Sequence, residues 1–130
     1  MNIAVRYYSL TGNTKAVADA VAEAVGVKAL SVDVPQAEIK ESVDLLFIGG
    51  ALYAYGLDKH LKVYLKTLKK EKVKKAVVFS TSWLSKHSVD LIKNGLKEAG
   101  IPVEEEFFYV KNKPSDEQKK QAADFARKFI

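Results

Sequence analysis

The chain of 130 residues contains no cysteine and only two histidines, His60 and His87. Without thiols it can form no disulfide, no cysteine-held metal cluster and no thiol nucleophile, and the two histidines lack the i, i+4 spacing of a metal site. The sequence also lacks an apolar run of about 18 residues and a basic leader at its N-terminus. These absences predict a cytoplasmic protein that holds no metal and does not enter a membrane.

Positive charge is concentrated in one segment. The net charge of the whole chain is +5, yet residues 58–75 alone hold eight lysines against Asp58 and Glu71, which gives +6 for that segment. One interpretation is a solvated helix face, and the other is a docking surface for an acidic partner. The lysines are not interleaved with aromatic residues and match no recognition motif, so we expect no nucleic acid partner.

Apolar periodicity alternates between strand and helix patterns. Short runs rich in β-branched and aromatic residues predict strands at 3–8, 43–48 and 76–79, with weaker strands at 29–32 and 103–110. Stripes at helical spacing predict helices over 17–25, 57–68, 89–99 and 122–129, and segment 33–42 has room for one or two helical turns. Gly26 is the expected stop of the first helix, and Ser115 with Gln118 has capping-box spacing. This order predicts an α/β fold in three layers, a doubly wound five-stranded parallel sheet with helices on both faces.

The sequence S-L-T-G-N-T at residues 9–14 lies between the first predicted strand and the first predicted helix. Ligands of doubly wound sheets bind beyond the carboxyl ends of the strands. Hydroxyl groups, an amide and a helix N-terminus are suited to a phosphate, and Gly12 lets the backbone approach it. The segment lacks the lysine and the spacing of a Walker motif, so we do not expect nucleotide hydrolysis. An ordinary capping cluster is the alternative interpretation.

Four segments resemble the flavodoxin family. Y-Y-S-L-T-G-N-T-K-A-V-A-D-A resembles its FMN phosphate loop, and I-G-G-A-L-Y-A-Y-G-L-D-K-H-L-K-V-Y-L its flavin-flanking segment after the third strand. V-V-F-S-T-S-W resembles its next flavin loop, and K-P-S-D-E-Q-K-K-Q-A-A-D-F-A its final helix. The segments occur in family order over nearly the whole chain. The resemblance implies one flavodoxin-like FMN-binding domain over residues 1–130, with strand order 2-1-3-4-5.

The resemblance also implies where FMN binds. Residues 9–14 would hold the ribityl phosphate, Tyr53 or Tyr55 would give the isoalloxazine an aromatic face, and residues 80–83 would offer backbone groups to its pyrimidine edge. Trp83 could form the opposite face, or it could cap a helix start or lie outside the site. For the tyrosines the alternatives are core packing and surface exposure. Gly56 stands where family members place a peptide that turns to accept a hydrogen bond from reduced flavin N5. The implied cofactor-binding residues are Ser9, Leu10, Thr11, Gly12, Asn13, Thr14, Ala51, Leu52, Tyr53, Ala54, Tyr55, Gly56, Ser80, Thr81, Ser82 and Trp83.

Two functions remain open at this point. The resemblance implies a carrier that shuttles single electrons between redox partners, or an FMN-dependent reductase of a small substrate such as a quinone. Reductases of that kind usually have added loops or a dimer interface, so the short chain favours the carrier, with no catalytic residue of its own. Flavodoxins are typically acidic, whereas this chain is basic. The basic charge predicts that a transient, acidic redox partner docks near residues 59–75, and we also expect the protein to be a monomer. A basic binding module without flavin is a third interpretation.

Overall fold

Strands and helices alternate along the chain in the computed structural model, which describes residues 1–53, 56–82 and 85–130. The strands are β1 (Ile3–Tyr7), β2 (Ala29–Ser31), β3 (Leu45–Gly50), β4 (Leu52–Tyr53), β5 (Gly56–Leu57), β6 (Ala76–Thr81) and β7 (Val103–Val110). The helices are α1 (Asn13–Val25), α2 (Lys59–Thr67), α3 (His87–Glu98) and α4 (Asp116–Arg127), and Pro35–Ala37 forms a single 3₁₀ turn.

Five parallel strands form the main sheet in the order β2-β1-β3-β6-β7. Counted within that sheet, this is the order 2-1-3-4-5, so the predicted α/β fold and its strand order are confirmed. In the register of the central strands, Val5 lies opposite Phe47 and Ile48 lies opposite Val78. Every residue of β3 and β6 is buried, which explains why both strands are continuous apolar runs in the sequence.

Side chains that alternate along the strands divide the core into two layers. On one face Val5 and Phe47 pack in a cluster with Val17 of α1 and Ala126 of α4. On the other face Ile48 and Val78 pack in a cluster with residues of α2 and α3, including Leu61, Leu65, Ile92 and Leu96. The helices therefore cover both faces of the sheet, and the carboxyl ends of its strands remain at one open edge.

Two predicted helix ends are confirmed. Gly26 ends α1 in the left-handed conformation, with φ of 77°. Ser115 begins α4, where its hydroxyl accepts from the Gln118 N–H and the Gln118 side chain accepts from the Ser115 N–H. No helix in the described ranges is long and apolar enough to cross a membrane.

The structure differs from the predicted elements at several bounds and in one strand pair. The first two strands end one residue earlier than predicted, at Tyr7 and Ser31, and the second helix covers Lys59–Thr67 and not 57–68. The third strand begins at Leu45 and not at residue 43, because Val43 forms only an isolated bridge with Val73. β3 continues to Gly50, two residues beyond its predicted end, and β6 continues to Thr81, also two residues beyond its predicted end. The antiparallel pair of β4 and β5 was not predicted, since two residues are too few to show alternation.

Candidate functional site

Three segments that follow β1, β3 and β6 meet at the carboxyl edge of the sheet. The N–H of Leu10 donates to the Tyr53 hydroxyl oxygen at 3.4 Å, which joins the first segment to the β4–β5 pair. The hydroxyls of Thr14 and Thr81 lie 2.6 Å apart, which joins the start of α1 to the end of β6. The structure thus brings together residues from all three predicted loops.

The first segment leaves the start of α1 open. Gly12 precedes the helix in the left-handed conformation, with φ of 91°, where other residues are strained. Within the described residues no side chain caps this helix end, and its first turn holds no acidic residue. The N–H groups of the first turn therefore point out of the helix without an intrahelical partner, which is the arrangement that binds anions.

Hydroxyl groups around this helix start keep protons to donate. The Ser9 Oγ accepts from the Gly12 N–H at 3.0 Å, so its own proton is free for another acceptor. Thr14 and Thr81 are both almost completely buried, and a single hydrogen bond between two hydroxyls uses one of their two protons. Ser82 Oγ is also buried, and it has no hydrogen-bond partner in the described part of the chain.

These donors are of the kind that binds a phosphate group, which the resemblance predicts at this place. A phosphate brings several strong acceptor oxygens, and the helix start, the Ser9 hydroxyl and the buried threonine pair supply donors at one place. Residues 9–14 contain no lysine or arginine, so an anion here would be held by neutral donors and the helix dipole. Leu10 and Thr11 are exposed within the segment.

Other predicted site residues are engaged within the protein. The Asn13 amide donates to Asn112 Oδ1 at 3.3 Å, and Asn112 itself has φ of 68°. The Ser80 hydroxyl donates to the Gly50 carbonyl at 2.6 Å and lies 2.6 Å from the hydroxyl of Ser88. Since Ser80 has only one proton, Ser88 must donate to it. This buried chain of hydrogen bonds fixes the ends of β3 and β6 to the first turn of α3.

The β4–β5 pair contributes Tyr53 and Gly56. Tyr53 is half-buried, and burial raises the pKa of its phenol, so the group remains protonated at neutral pH. Gly56 has φ of 116°, a conformation that requires glycine. Ala51 and Leu52 are half-buried beside them. The predicted site residues Ala54, Tyr55 and Trp83 lie outside the described residues.

A stacked pair of rings, Tyr8 and His60, lies beside the site and was not predicted from the sequence. The Tyr8 ring stacks on His60, with centroids 4.8 Å apart and planes 13° apart. Asp58 accepts from the His60 N–H at 2.7 Å, which caps α2, and also lies 2.8 Å from the imidazole Nδ1. Burial, and then the nearby Asp58 carboxylate, raise the pKa of Tyr8. The pairing of Tyr8 with His60 spans more than 50 positions, and no local pattern indicates it.

No group of three potential metal ligands occurs in the described ranges. The doubly wound sheet, its strand order and the open helix start after its first strand define a flavodoxin-like protein. The family model described as a flavodoxin domain matches residues 4–108. The chain therefore belongs to the flavodoxin domain family.

Solved structures show the same fold. A flavodoxin from the domain Archaea has a TM-score of 0.82 and 23% identity, with 97% of this chain and 94% of that chain covered. Flavodoxin 1 from Bacillus cereus has a TM-score of 0.79 and 22% identity, with 99% and 97% covered. Rubredoxin oxygen:oxidoreductase from Desulfovibrio gigas has a TM-score of 0.83 and 18% identity, with 96% of this chain but only 34% of that chain covered. Comparison with curated proteins gives no significant match.

Proposed function

We propose that the protein binds FMN at the carboxyl edge of its sheet and carries single electrons between redox partners. The observation that supports this most is the open start of α1, surrounded by hydroxyls with protons to donate, in a chain of the flavodoxin domain family. FMN, when bound, supplies the one-electron chemistry, and the protein supplies binding, orientation and electrostatics.

The phosphate end is held by residues of the first segment. The N–H groups of Asn13 and Thr14, the Ser9 hydroxyl and the remaining proton of the Thr14–Thr81 pair donate to phosphate oxygens. Hydrogen bonds to a charged acceptor contribute about 1.5–3 kcal/mol each, so a few of them give the phosphate a large share of the affinity. Riboflavin, which lacks the phosphate, should bind much more weakly.

The ring end lies between the second and third segments. Tyr53 accepts a hydrogen bond from the backbone of the phosphate segment through its hydroxyl, and either Tyr53 or Tyr55 stacks on the isoalloxazine. Gly56 can turn its peptide toward the ring because its left-handed backbone costs glycine little. Ser82 offers a buried hydroxyl without a partner among the described residues, next to Trp83 in the sequence.

An acidic redox partner docks on one part of the lysine-rich segment. Lys59, Lys62 and Lys66 are exposed and lie at i, i+3 and i+7, so they form a stripe on α2 that begins two residues after β5. None of these three forms an ion pair in the described part of the chain, whereas Lys74 pairs with Asp44 at 3.2 Å. The basic stripe Lys59, Lys62 and Lys66 is the part of residues 59–75 that lies on α2, and it begins close in sequence to the proposed flavin-binding residues of β5.

Titration with FMN and with riboflavin tests the cofactor, since the visible spectrum and flavin fluorescence both report binding. Equal affinity for the two flavins would contradict the phosphate site. Catalytic turnover of a soluble quinone by the FMN-loaded protein would favour the reductase over the carrier.

A charge-reversal variant tests the stripe. Changing Lys59, Lys62 and Lys66 to Glu should slow oxidation of the reduced protein by ferricyanide, an anion, and lower the flavin potential, with both effects shrinking in salt. The matched control changes Lys69, Lys70 and Lys72 to Glu, since these follow α2 at the opposite edge of the sheet. Equal effects of the two variants would show that only net charge matters, which contradicts docking at the stripe.

A further inference from the structure

A groove runs between α2 and α3 beneath the β4–β5 pair, with a volume of about 840 Å³. Its walls are mainly apolar, and α2, α3 and the β4–β5 pair all contribute. The apolar lining residues are Leu52, Leu57, Leu65, Leu68, Leu91 and Ala99. Small-molecule sites have volumes of roughly 300–1,000 Å³, apolar walls and a few polar groups, so this α2–α3 groove has the size and lining of a ligand site.

The groove is separate from the phosphate site. Helix α2 has nine residues and α3 has twelve, and both run from the carboxyl edge of the sheet toward the opposite edge. The groove follows them past Leu68 and Ala99, which lie at their far ends. Of its described lining residues, only those at the upper end, Leu52, Tyr53 and Gly56, also belong to the proposed flavin site. A ligand in the groove would therefore occupy the helical layer and not the edge of the sheet.

The floor of the groove depends on one glycine. A Cβ at Gly95 would lie 2.9 Å from Leu65 Cδ1, so α3 touches α2 at this point with no side chain of its own. Leu91 and Ala99 lie one turn before and after Gly95 and are only partly buried. Apolar surface therefore remains exposed to water above the contact between the helices. Its exposure is unfavourable, so a ligand that covers it would gain free energy.

Positive charge lines the α2 wall of the groove along its length, because Lys62 lies near the start of α2 and Lys66 lies in its last turn. Lys62 and Lys66 line it one helical turn apart, both exposed, and neither forms an ion pair in the ranges that the structure describes. Lys62 Nζ lies 3.8 Å from the point where a Gly56 Cβ would stand, which places this charge at the upper end. His87 and the positive end of the α3 dipole are at the same end, whereas Glu98 is at the far end.

We propose that the α2–α3 groove binds an amphipathic organic anion, with its carboxylate or sulfonate between Lys62 and Lys66 and its apolar body along Leu65, Leu91 and Ala99. Lys62 and Lys66 outnumber the one acidic residue among the described lining residues, Glu98, so the charge of the groove favours an anion. The proposal goes beyond electron transfer, and none of the groups proposed to hold the phosphate lines the groove.

Calorimetric titration of the purified FMN-loaded protein with naphthalene-2-carboxylate, and with its uncharged amide, tests the proposal. The two probes have the same apolar body and differ in charge. We expect the carboxylate to bind about tenfold more tightly than the amide, as two lysine contacts at a partly exposed site would give. No measurable binding of the carboxylate, or equal binding of both probes, would overturn the proposal.

Two variants locate the site. Lys62→Gln with Lys66→Gln should remove the preference for the carboxylate, and the matched pair Lys69→Gln with Lys72→Gln, which changes the same charge outside the groove, should keep it. Asn94→Trp should weaken both probes at least tenfold, since exposed Asn94 lines the groove and the indole would fill it. FMN affinity and thermal unfolding show that each variant is folded. Undiminished binding of both probes by the folded Asn94→Trp variant would place them elsewhere.

Discussion

The buried pair of Thr14 and Thr81 gives the sharpest test of the phosphate site. Each hydroxyl can be replaced by a methyl group of nearly the same shape through Thr→Val. The two hydroxyls lie 2.6 Å apart and share one hydrogen bond, so the pair has one proton left for a ligand. A single Thr→Val change leaves one hydroxyl, which can then turn its proton to the ligand. Only the double variant removes the donor.

The expected magnitudes differ for folding and for binding. In the protein without FMN, a single change leaves a buried hydroxyl without its partner, which costs about 1–3 kcal/mol, whereas the double change removes both partners and should cost less than either single change. For FMN affinity, the double change should have a larger effect than either single change. The double variant loses a hydrogen bond to a charged acceptor of about 1.5–3 kcal/mol, or about 10- to 150-fold in Kd.

A double-mutant cycle read by two assays separates these effects. Urea unfolding of the protein without FMN gives the free energies of unfolding, and fluorescence titration gives the Kd of FMN and of riboflavin. Riboflavin affinity should be unchanged in the double variant, because riboflavin has no phosphate to accept the proton. If riboflavin binding fell as much as FMN binding, the pair would act through the fold alone, and the assignment to the phosphate would be wrong.

Two further changes test the packing and the charges of the sheet. Gly49→Ala should destabilise the fold by about 1–3 kcal/mol, because the added methyl group would lie 2.2 Å from the Phe79 ring. Urea unfolding measures this loss, and Phe79→Leu in the same chain should recover part of it. A hydrogen bond from the Asn2 N–H, and then one from Lys74, hold the pKa of Asp44 below its usual value of 3.8. The ionised Asp44 therefore stabilises the fold above pH 3.8, and this stabilisation is lost as the pH falls through the lower pKa of the folded state. The Asp44→Asn variant should therefore lose less stability than the wild type on acidification below about pH 4, and equal losses would contradict the assignment.

Much of the fold could be predicted because its signals are local. The buried strands are continuous apolar runs, Gly26 stops α1, and the Ser115–Gln118 box starts α4, each within a few residues. The β4–β5 pair was missed because each of its strands has only two residues, which is too short for a local pattern. Short elements of this kind depend on the strands and helices around them.

The candidate site was predictable in parts and not as a whole. Residues 9–14 are contiguous, so their suitability for a phosphate can be read from the sequence. The bonds that assemble the site join distant positions: Leu10 with Tyr53 across 43 positions, and Thr14 with Thr81 across 67. Nothing in the sequence indicates that two threonines so far apart form a hydrogen bond with each other. Asn112, 99 positions from Asn13, was missed on the same ground.

The glycine that starts α1 has a consequence for local motion. With Gly12 at its N-cap and no capping side chain among the described residues, the first turn of α1 relies on water to satisfy its N–H groups. These amides should then exchange hydrogen faster than those of the middle of the helix, where Val17 and Val21 are buried. A phosphate bound there would close the turn, so the slowing of exchange at residues 13–15 would report occupancy directly. The same ligand stabilises the whole fold by about 2.7 kcal/mol at a concentration a hundred times its Kd.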